Sequence, residues 1–253
     1  MNIAIIGYGR MGHEIEAVAL SRGHRVVARV DPSAEGADFA DVDAAVAAGA
    51  LTDGVCAVDF ALPQAVAGNV AGYARAGCSA VIGTTGWDAD RDKVLAPAVE
   101  AGISLVWGSN FSVGANMTVR IAAFSARLAD AAGSYDLGLV ELHHTGKKDS
   151  PSGTAIMLAE EILAAVDAKR SIQTETLHRQ IQPEELHTAS ARIGSIPGTH
   201  TLYLDSPADT VELTHRARNR GGFALGAVQA AEWIVQQRGV HPVSTFFDDL
   251  FQL

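Results

Sequence analysis

At 253 residues, with 48% hydrophobic and 19% charged side chains, the chain can bury one large core or two modest ones and is too apolar to be disordered. Its net charge of -10 at pH 7 excludes a broad basic surface for duplex nucleic acid, yet leaves room for a local basic pocket that takes an acidic small molecule. Two cysteines without metal-ligand spacing, Cys56 and Cys78, argue against a disulfide framework and suit a reducing cytoplasm; the chain opens on strand-like residues instead of a signal peptide, and no apolar run is long enough for a membrane span.

Asn2 to Ile6 reads as a short buried strand. Gly7-Tyr8-Gly9-Arg10-Met11-Gly12 follows at once and opens a helix predicted to reach Arg22. Strand, G-x-G-x-x-G and helix in succession form the dinucleotide fingerprint, so all six positions are expected to bind a nucleotide cofactor, the alternative being a glycine-rich turn in an α/β fold that binds something else. Gly7 makes the tight turn, Gly9 admits the pyrophosphate, and Gly12 lets helix and strand pack closely. The next strand, Arg25 to Val30, ends at Asp31, about 20 residues past the glycines, where an acid receives the ribose hydroxyls. A carboxylate there favours NADH, with NADPH possible only if Arg10 or Arg29 offsets the like charge of a 2′-phosphate; Arg29 reads rather as a solvated strand residue.

Residues 33 to 54 are rich in Ala and Asp, with a weak helical pattern and no evident chemistry. Val55 to Leu62 is predicted as a buried strand, Pro63 to Ala76 as a helix, and Ser79 to Ile82 as a strand running into Gly83-Thr84-Thr85-Gly86. Ile103 to Trp107 is the next strand and runs into Gly108-Ser109-Asn110-Phe111. Such loops at the carboxyl ends of strands either line a ligand crevice or simply turn the chain.

A long helix, Ser112 to about Ala132, carries Asn116 and Arg120 and leads into a second domain. Tyr135 to Leu142 reads as a strand and Ala155 to Val166 as a helix with Ile156, Ile162, Leu163 and Val166 on its apolar face. Between them two histidines, two lysines, an aspartate and Pro151-Ser152-Gly153-Thr154 gather proton donors and cations at a strand-to-loop junction. A helix start of this kind suits a carboxylate. Residues 168 to 190 read as irregular connection, with His178 and His187 not expected to bind metal. Ala191 to Ile196, Thr199 to Asp205 and Thr210 to Arg216 are predicted strands, the last two with period-2 alternation. After Gly221-Gly222, a last helix from Phe223 to Gln237 stops at Gly239 and suits a return to the first domain. The expected fold is α/β: a Rossmann-type doubly wound parallel sheet formed by residues 1–111 and 221–253, and a second α+β domain, residues 112–220, on a mixed, largely antiparallel sheet with helices on one side.

The run Glu141-Leu-His-His-Thr-Gly-Lys-Lys-Asp-Ser-Pro-Ser-Gly-Thr-Ala155 resembles the signature of the dihydrodipicolinate reductase family: Glu, one variable position, His-His, two variable positions, Lys, one variable, Asp, one variable, then Pro-Ser-Gly-Thr-Ala. Every fixed position is present. The resemblance implies hydride transfer from NAD(P)H to a cyclic unsaturated dicarboxylate, 4-hydroxy-tetrahydrodipicolinate or dihydrodipicolinate, giving tetrahydrodipicolinate for lysine and diaminopimelate biosynthesis. It implies His143 as proton donor, Lys147 as its cationic partner, and His144, Ser152, Gly153 and Thr154 as substrate contacts. Gly83, Thr84, Thr85, Gly108, Ser109, Asn110 and Phe111 would serve the nicotinamide end of the cofactor, and the enzyme would be a cytoplasmic homotetramer joined through the sheet domain. Many relatives carry an arginine after the acid at the end of the second strand; Pro32 stands there, which weakens the case for NADPH. No metal is expected, since adjacent histidines suit one tetrahedral ion poorly and no third ligand is apparent. Another two-domain nicotinamide dehydrogenase and a nucleotide-sensing protein without chemistry are the alternatives.

Overall fold

The computed structural model describes residues 1–252. In chain order the elements are β1 (Asn2–Ile6), α1 (Arg10–Ser21), β2 (Arg25–Val30), α2 (Val42–Ala47), β3 (Val55–Asp59), α3 (Val66–Ala76), β4 (Ser79–Ile82), α4 (Arg91–Ala101), β5 (Leu105–Trp107), α5 (Val113–Ala132), β6 (Asp136–His143), α6 (Gly153–Ala165), β7 (Ser171–Gln173), β8 (Glu185–Arg192), β9 (Thr199–Asp205), β10 (Thr210–Arg216), α7 (Gly221–Ile234), β11 (Val240–Pro242) and α8 (Val243–Phe251). The chain divides into two compact units, Met1–Val113 with Arg220–Leu253, and Gly114–Asn219.

The first unit holds a six-stranded, wholly parallel sheet in the order β11-β5-β4-β3-β1-β2. Its strands are continuous apolar runs because both faces are covered: Ile3 to Ile6 and all five residues of β3 are buried. On one face Val66, Val70 and Tyr73 of α3 pack with Leu95 and Ala98 of α4. On the other, Ile15 and Ala19 of α1 meet Ala224, Ala227, Val228, Ala231 and Ile234 of α7 and Phe246 and Phe247 of α8. The strand order reverses between β1 and β3, which makes the carboxyl ends of those two strands the place where an open sheet of this kind takes a ligand. The expected return of the chain after Gly221-Gly222 is present but longer than expected. Helix α7 starts at Gly221 itself, and beyond Gly239 the chain adds the edge strand β11 and helix α8. A three-residue strand is too short to show a period, so the sequence pattern missed it.

The second unit is built on a five-stranded sheet in the order β10-β9-β6-β8-β7. Pairs β10–β9 and β9–β6 are antiparallel, while β6–β8 and β8–β7 are parallel, so the sheet is mixed in equal parts and not largely antiparallel. Helices α5 and α6 cover one face, with Val119, Ala122, Ala126, Leu158 and Ile162 packed on Leu137, Leu139, Leu186, Leu202 and Leu204. Two expectations need correction. Residues 168 to 190 are not all irregular, since β7 and most of β8 lie there, and the strand placed at Ala191 to Ile196 in fact ends at Arg192. In β8 (Glu-Leu-His-Thr-Ala-Ser-Ala-Arg) Leu186 is the one large aliphatic side chain, so the strand is held by pairing to β6 and β7 and carries little apolar alternation. Among the described residues no helix is long and apolar enough to cross a membrane.

Candidate active site

In the first unit, β1 delivers the chain into Gly7, which has φ of +86° and sits so close to β3 that a Cβ would stand 2.6 Å from the Phe60 carbonyl oxygen. A Cβ on Gly12 would lie 2.4 Å from the Gly7 oxygen, while Gly9 faces open space. Gly9 is the N-cap of α1 without a side-chain capping bond, and no acid occupies the first turn, so the helix start is open to an anion. A cavity of about 560 Å³ extends from Gly7 and Gly9 to Asp31, Pro32 and Ser33. These features fit a dinucleotide: the glycines and the α1 start for the pyrophosphate, Asp31 for the ribose. Arg10 and Met11 follow in the first turn of α1, Arg10 exposed and Met11 half-buried.

Asp31 is already held by the chain. Its Oδ1 accepts from the Ser33 and Ala34 amides, both at 2.9 Å, and its Oδ2 from the Tyr8 amide at 3.0 Å. Burial opposes its charge, but these donors outweigh burial and keep its pKa below the usual value. Arg29, which the strand pattern left as a solvated residue, is tied to Glu16 and Asp38, and the Tyr8 hydroxyl donates to the same Glu16. Its guanidinium carbon is 5.8 Å from the Tyr8 ring centre.

The two polar loops divide into inward and outward residues. The buried Asp59 carboxylate at the end of β3 accepts from the Ala61 amide, Asn69, Tyr73 and the Thr84 hydroxyl at 3.0, 2.9, 2.7 and 3.2 Å. Thr84 therefore turns its hydroxyl into the fold, and the Trp87 indole bonds its carbonyl at 2.7 Å. Thr85, next to it, is exposed, while Gly83 is buried with a would-be Cβ 2.1 Å from the Phe60 ring. In the second loop Ser109 is exposed, Gly108 and Asn110 are buried, and Asn110 accepts from the Ser112 amide at 2.9 Å. The Phe111 side chain is in the core, edge-on to Phe60 at 6.1 Å between centroids.

In the second unit β6 ends at His143, so the chain turns between the two histidines: His143 is buried and His144 half-buried beyond the strand. The turn is fixed by Ile193 N–H to His143 C=O at 2.8 Å, Thr145 N–H to Gly194 C=O at 3.1 Å and Lys147 N–H to His144 C=O at 3.1 Å. Lys147 Nζ lies 2.8 and 2.9 Å from the two carboxylate oxygens of Asp149, whereas Lys148 is exposed. Ser152 is 2% exposed and committed to the fold. It caps α6 by accepting from the Ala155 amide at 3.2 Å, gives its own amide to Glu141 at 3.1 Å, and meets His200 Nε2 at 3.1 Å. Its side chain thus serves the site from behind, and Gly153 and Thr154 are the more accessible residues of the helix start.

Behind His143 stands a buried carboxylate. Glu141, 1% exposed, holds Oε2 at 3.0 Å from His143 Nδ1, at too bent an angle for a directed hydrogen bond. Its Oε1 accepts from Arg192 at 3.0 Å. Burial opposes the charge of Glu141, yet Ser152 and Arg192 keep its pKa below the usual value. Burial lowers the pKa of His143, Lys147 and Arg192 lower it further, and Glu141 opposes them. The ring of His200 lies 5.2 Å from that of His143, nearly perpendicular to it, and burial pushes His200 down to about 4. A Cβ at residue 198 would come within 2.9 Å of His143 Nε2, so Gly198 leaves the space in which that nitrogen sits.

Glu141, His143 and His200 bring their ligand atoms within 4.8 Å of one another, so the third group that sequence spacing did not reveal is His200, on β9. The charge of the cluster is already compensated: Arg192 pairs with one Glu141 oxygen, and the two imidazoles, whose pKa values burial lowers, stand beside the other. What holds it is the Glu141–Arg192 ion pair and the hydrogen bonds of Ser152 to Glu141 and His200. Glu141, Arg192, Gly198 and His200 were all outside the expected site residues; Glu141, as a fixed position of the signature, was the one with a sequence signal.

The chain matches the description "Dihydrodipicolinate reductase, N-terminus" over residues 1–111 and "Dihydrodipicolinate reductase, C-terminus" over residues 114–247. It is similar to a 4-hydroxy-tetrahydrodipicolinate reductase from Christiangramia forsetii, 34% identical over 252 residues and 100% of both chains. A second relative of that name, from Nitratidesulfovibrio vulgaris, is 39% identical over 75% of this chain and 73% of its own. In fold it is similar to a dipicolinate-bound dihydrodipicolinate reductase from Paenisporosarcina sp. TG-14, with a TM-score of 0.77 at 20% identity over 97% of this chain and 98% of the other. With both parts of one family accounted for along its length and a full-length relative at a third identity, the chain belongs to the dihydrodipicolinate reductase family.

Proposed function

We propose that the chain reduces 4-hydroxy-tetrahydrodipicolinate, or the dihydrodipicolinate ring derived from it, to tetrahydrodipicolinate, in lysine and diaminopimelate biosynthesis. The observation that carries this reading is the complete Glu141–Ala155 loop, folded so that a buried imidazole, a half-buried ammonium and a helix start arise from one short stretch. The cofactor, a reduced nicotinamide dinucleotide, supplies the hydride. Gly7, Tyr8, Gly9, Arg10, Met11 and Gly12 would hold its pyrophosphate and Asp31 its ribose, with Gly83, Thr85, Ser109 and the backbone of Thr84, Gly108, Asn110 and Phe111 toward the nicotinamide. NADH is preferred over NADPH, because the Asp31 carboxylate is charged and Arg29 is occupied by Glu16 and Asp38.

His143 acts as the proton donor. In the free chain its low pKa leaves the ring neutral at pH 7. A substrate with two carboxylates opposes the positive field of Lys147 and Arg192, so the imidazole gains a proton as the substrate binds. Nδ1 faces Glu141, and the proton is passed at Nε2. Lys147 stabilises the negative charge, and His144, Gly153 and Thr154 hold the carboxylates. The working form is a cytoplasmic homotetramer. The free thiols of Cys56 and Cys78 support the compartment, and the exposed apolar stripe Met117, Ile121, Phe124 and Leu128 on α5 supports assembly.

A coupled assay tests the reading, with substrate made from pyruvate and aspartate semialdehyde and loss of reduced nicotinamide followed optically. His143→Ala should lower turnover by roughly 100- to 10,000-fold with NADH binding unchanged. Near-normal turnover in the folded variant would remove His143 from its role. A binding protein without chemistry would show no turnover in either form.

A further inference from the structure

Arg192 closes β8, well outside the signature loop, and its Nη2 makes two contacts into that loop. It donates to Glu141 Oε1 at 3.0 Å and to the backbone carbonyl of Asp149 at 2.5 Å, while Nη1 is anchored on the Ala191 carbonyl at 2.9 Å. Each loop partner leads to one acting group. Glu141 stands 3.0 Å from His143 Nδ1, and Asp149 grips Lys147 Nζ through both carboxylate oxygens. One guanidinium is therefore a single residue removed from the imidazole and a single residue removed from the ammonium.

We propose that Arg192 is the positioning residue of the reaction, setting His143 through Glu141 and Lys147 through Asp149. The inference rests on the reading of His143 and Lys147 as the groups that act on the substrate. A planar, permanently charged fork suits this task, because it meets a carboxylate and a carbonyl in fixed relative directions; a lysine ammonium is a point donor on a flexible stem. Arg192 also adds positive charge beside His143, in company with Lys147, and against Glu141 and Asp149; the neighbouring rings are His200 and, stacked on it at 6.4 Å, His215.

The test uses the full-length enzyme with Arg192→Ala, Arg192→Lys and His143→Ala side by side. For Arg192→Ala, kcat should fall about 100-fold, as expected when reacting groups are displaced by an ångström. NADH affinity, read by nucleotide fluorescence, should hold. The limb of the pH profile of kcat/KM that belongs to His143 should move to higher pH, since a cation beside the ring is gone. Added guanidinium ion should restore part of the turnover to Arg192→Ala, and Arg192→Lys should remain impaired. A kcat loss that simply follows a lower melting temperature, with the pH profile unmoved and no rescue, overturns the proposal in favour of plain structural support. Arg192→Ala with normal kinetics beside an inactive His143→Ala overturns the positioning role and leaves the assigned function intact. An active His143→Ala instead removes His143 from its acting role, and with it the positioning role built on that reading, while the reductase activity itself stands.

Discussion

If the proposed NADH preference comes from Asp31 without a cation beside it, replacing Pro32 by arginine should raise the efficiency with NADPH. Pro32 lies on the wall of the 560 Å³ cavity, directly after Asp31. The Asp31 carboxylate is pinned by three backbone amides and stays ionised, so a 2′-phosphate placed there meets like charge. The nearest strand cation, Arg29, is bound to Glu16 and Asp38 and does not relieve the repulsion. A guanidinium at residue 32 supplies one charge-assisted hydrogen bond to the phosphate, worth about 1.5–3 kcal/mol. At about 1.4 kcal/mol per tenfold, that is a gain of roughly 10- to 100-fold in kcat/KM for NADPH. The NADH value should change little, because the ribose hydroxyls keep Asp31. Loss of the proline ring costs about 0.4–1 kcal/mol of stability through the unfolded chain, so melting temperatures are measured alongside. Steady-state kinetics with both cofactors decide the matter. A folded Pro32→Arg enzyme with no gain for NADPH would refute the reasoning, and so would Arg29→Ala if it alone changed the cofactor ratio.

Lys147→Ala should reduce both turnover and substrate affinity, while Lys148→Ala should leave both near normal; the reverse ranking in the same assay would put the wrong lysine in the site. Tyr73→Phe removes the 2.7 Å hydrogen bond to the buried Asp59 and should cost about 1.5–3 kcal/mol, read in denaturant unfolding. A change below the error of the measurement would mean that the other three donors suffice. His200 contributes a pH dependence whose sign follows from its depressed pKa of about 4. The unfolded chain protonates this ring first, near pH 6.5, so stability is full above that pH and falls between about 6.5 and 4, by up to about 3 kcal/mol. His200→Gln should flatten that part of the stability profile; an unchanged slope would locate the titration elsewhere.

The elements that sequence made legible are those whose pattern is local. β1, the glycine turn and α1 announce themselves through Gly7, Gly9 and Gly12, and β9 and β10 fall on the expected residues because their alternation is strong. Strands β8 and β11 were hidden, the first because its polar side chains are accommodated by neighbours on both sides, the second because it is three residues long. The same division runs through the candidate site. His143, Lys147 and the α6 start are adjacent in sequence and were read together. Arg192 and His200 reach Glu141 from strands that only the sheet order β9-β6-β8 brings alongside β6. Thr84 and Ser152 show the converse limit: the resemblance marked them as cofactor and substrate contacts, and only burial reveals that their hydroxyls face inward.

Helix α7 lies so close on the loop after β5 that a Cβ on Gly226 would approach the Phe111 carbonyl oxygen to 1.7 Å. Eight of the 18 buried residues of one core layer of the first unit, and its edge strand β11, thus come from the last part of the chain. During synthesis the residues of the second unit, 114–219, leave the ribosome complete while β5 still waits for its partner. The order of maturation is therefore inverted with respect to the order of the genes' reading: the inserted unit can settle first, and the nucleotide-binding sheet is finished last. Until α7 and β11 arrive, β5 presents an unpaired edge and α1 alone covers its face of the sheet, the kind of surface on which nascent chains associate. Truncation near Arg220 would leave the polypeptide permanently in that exposed stage.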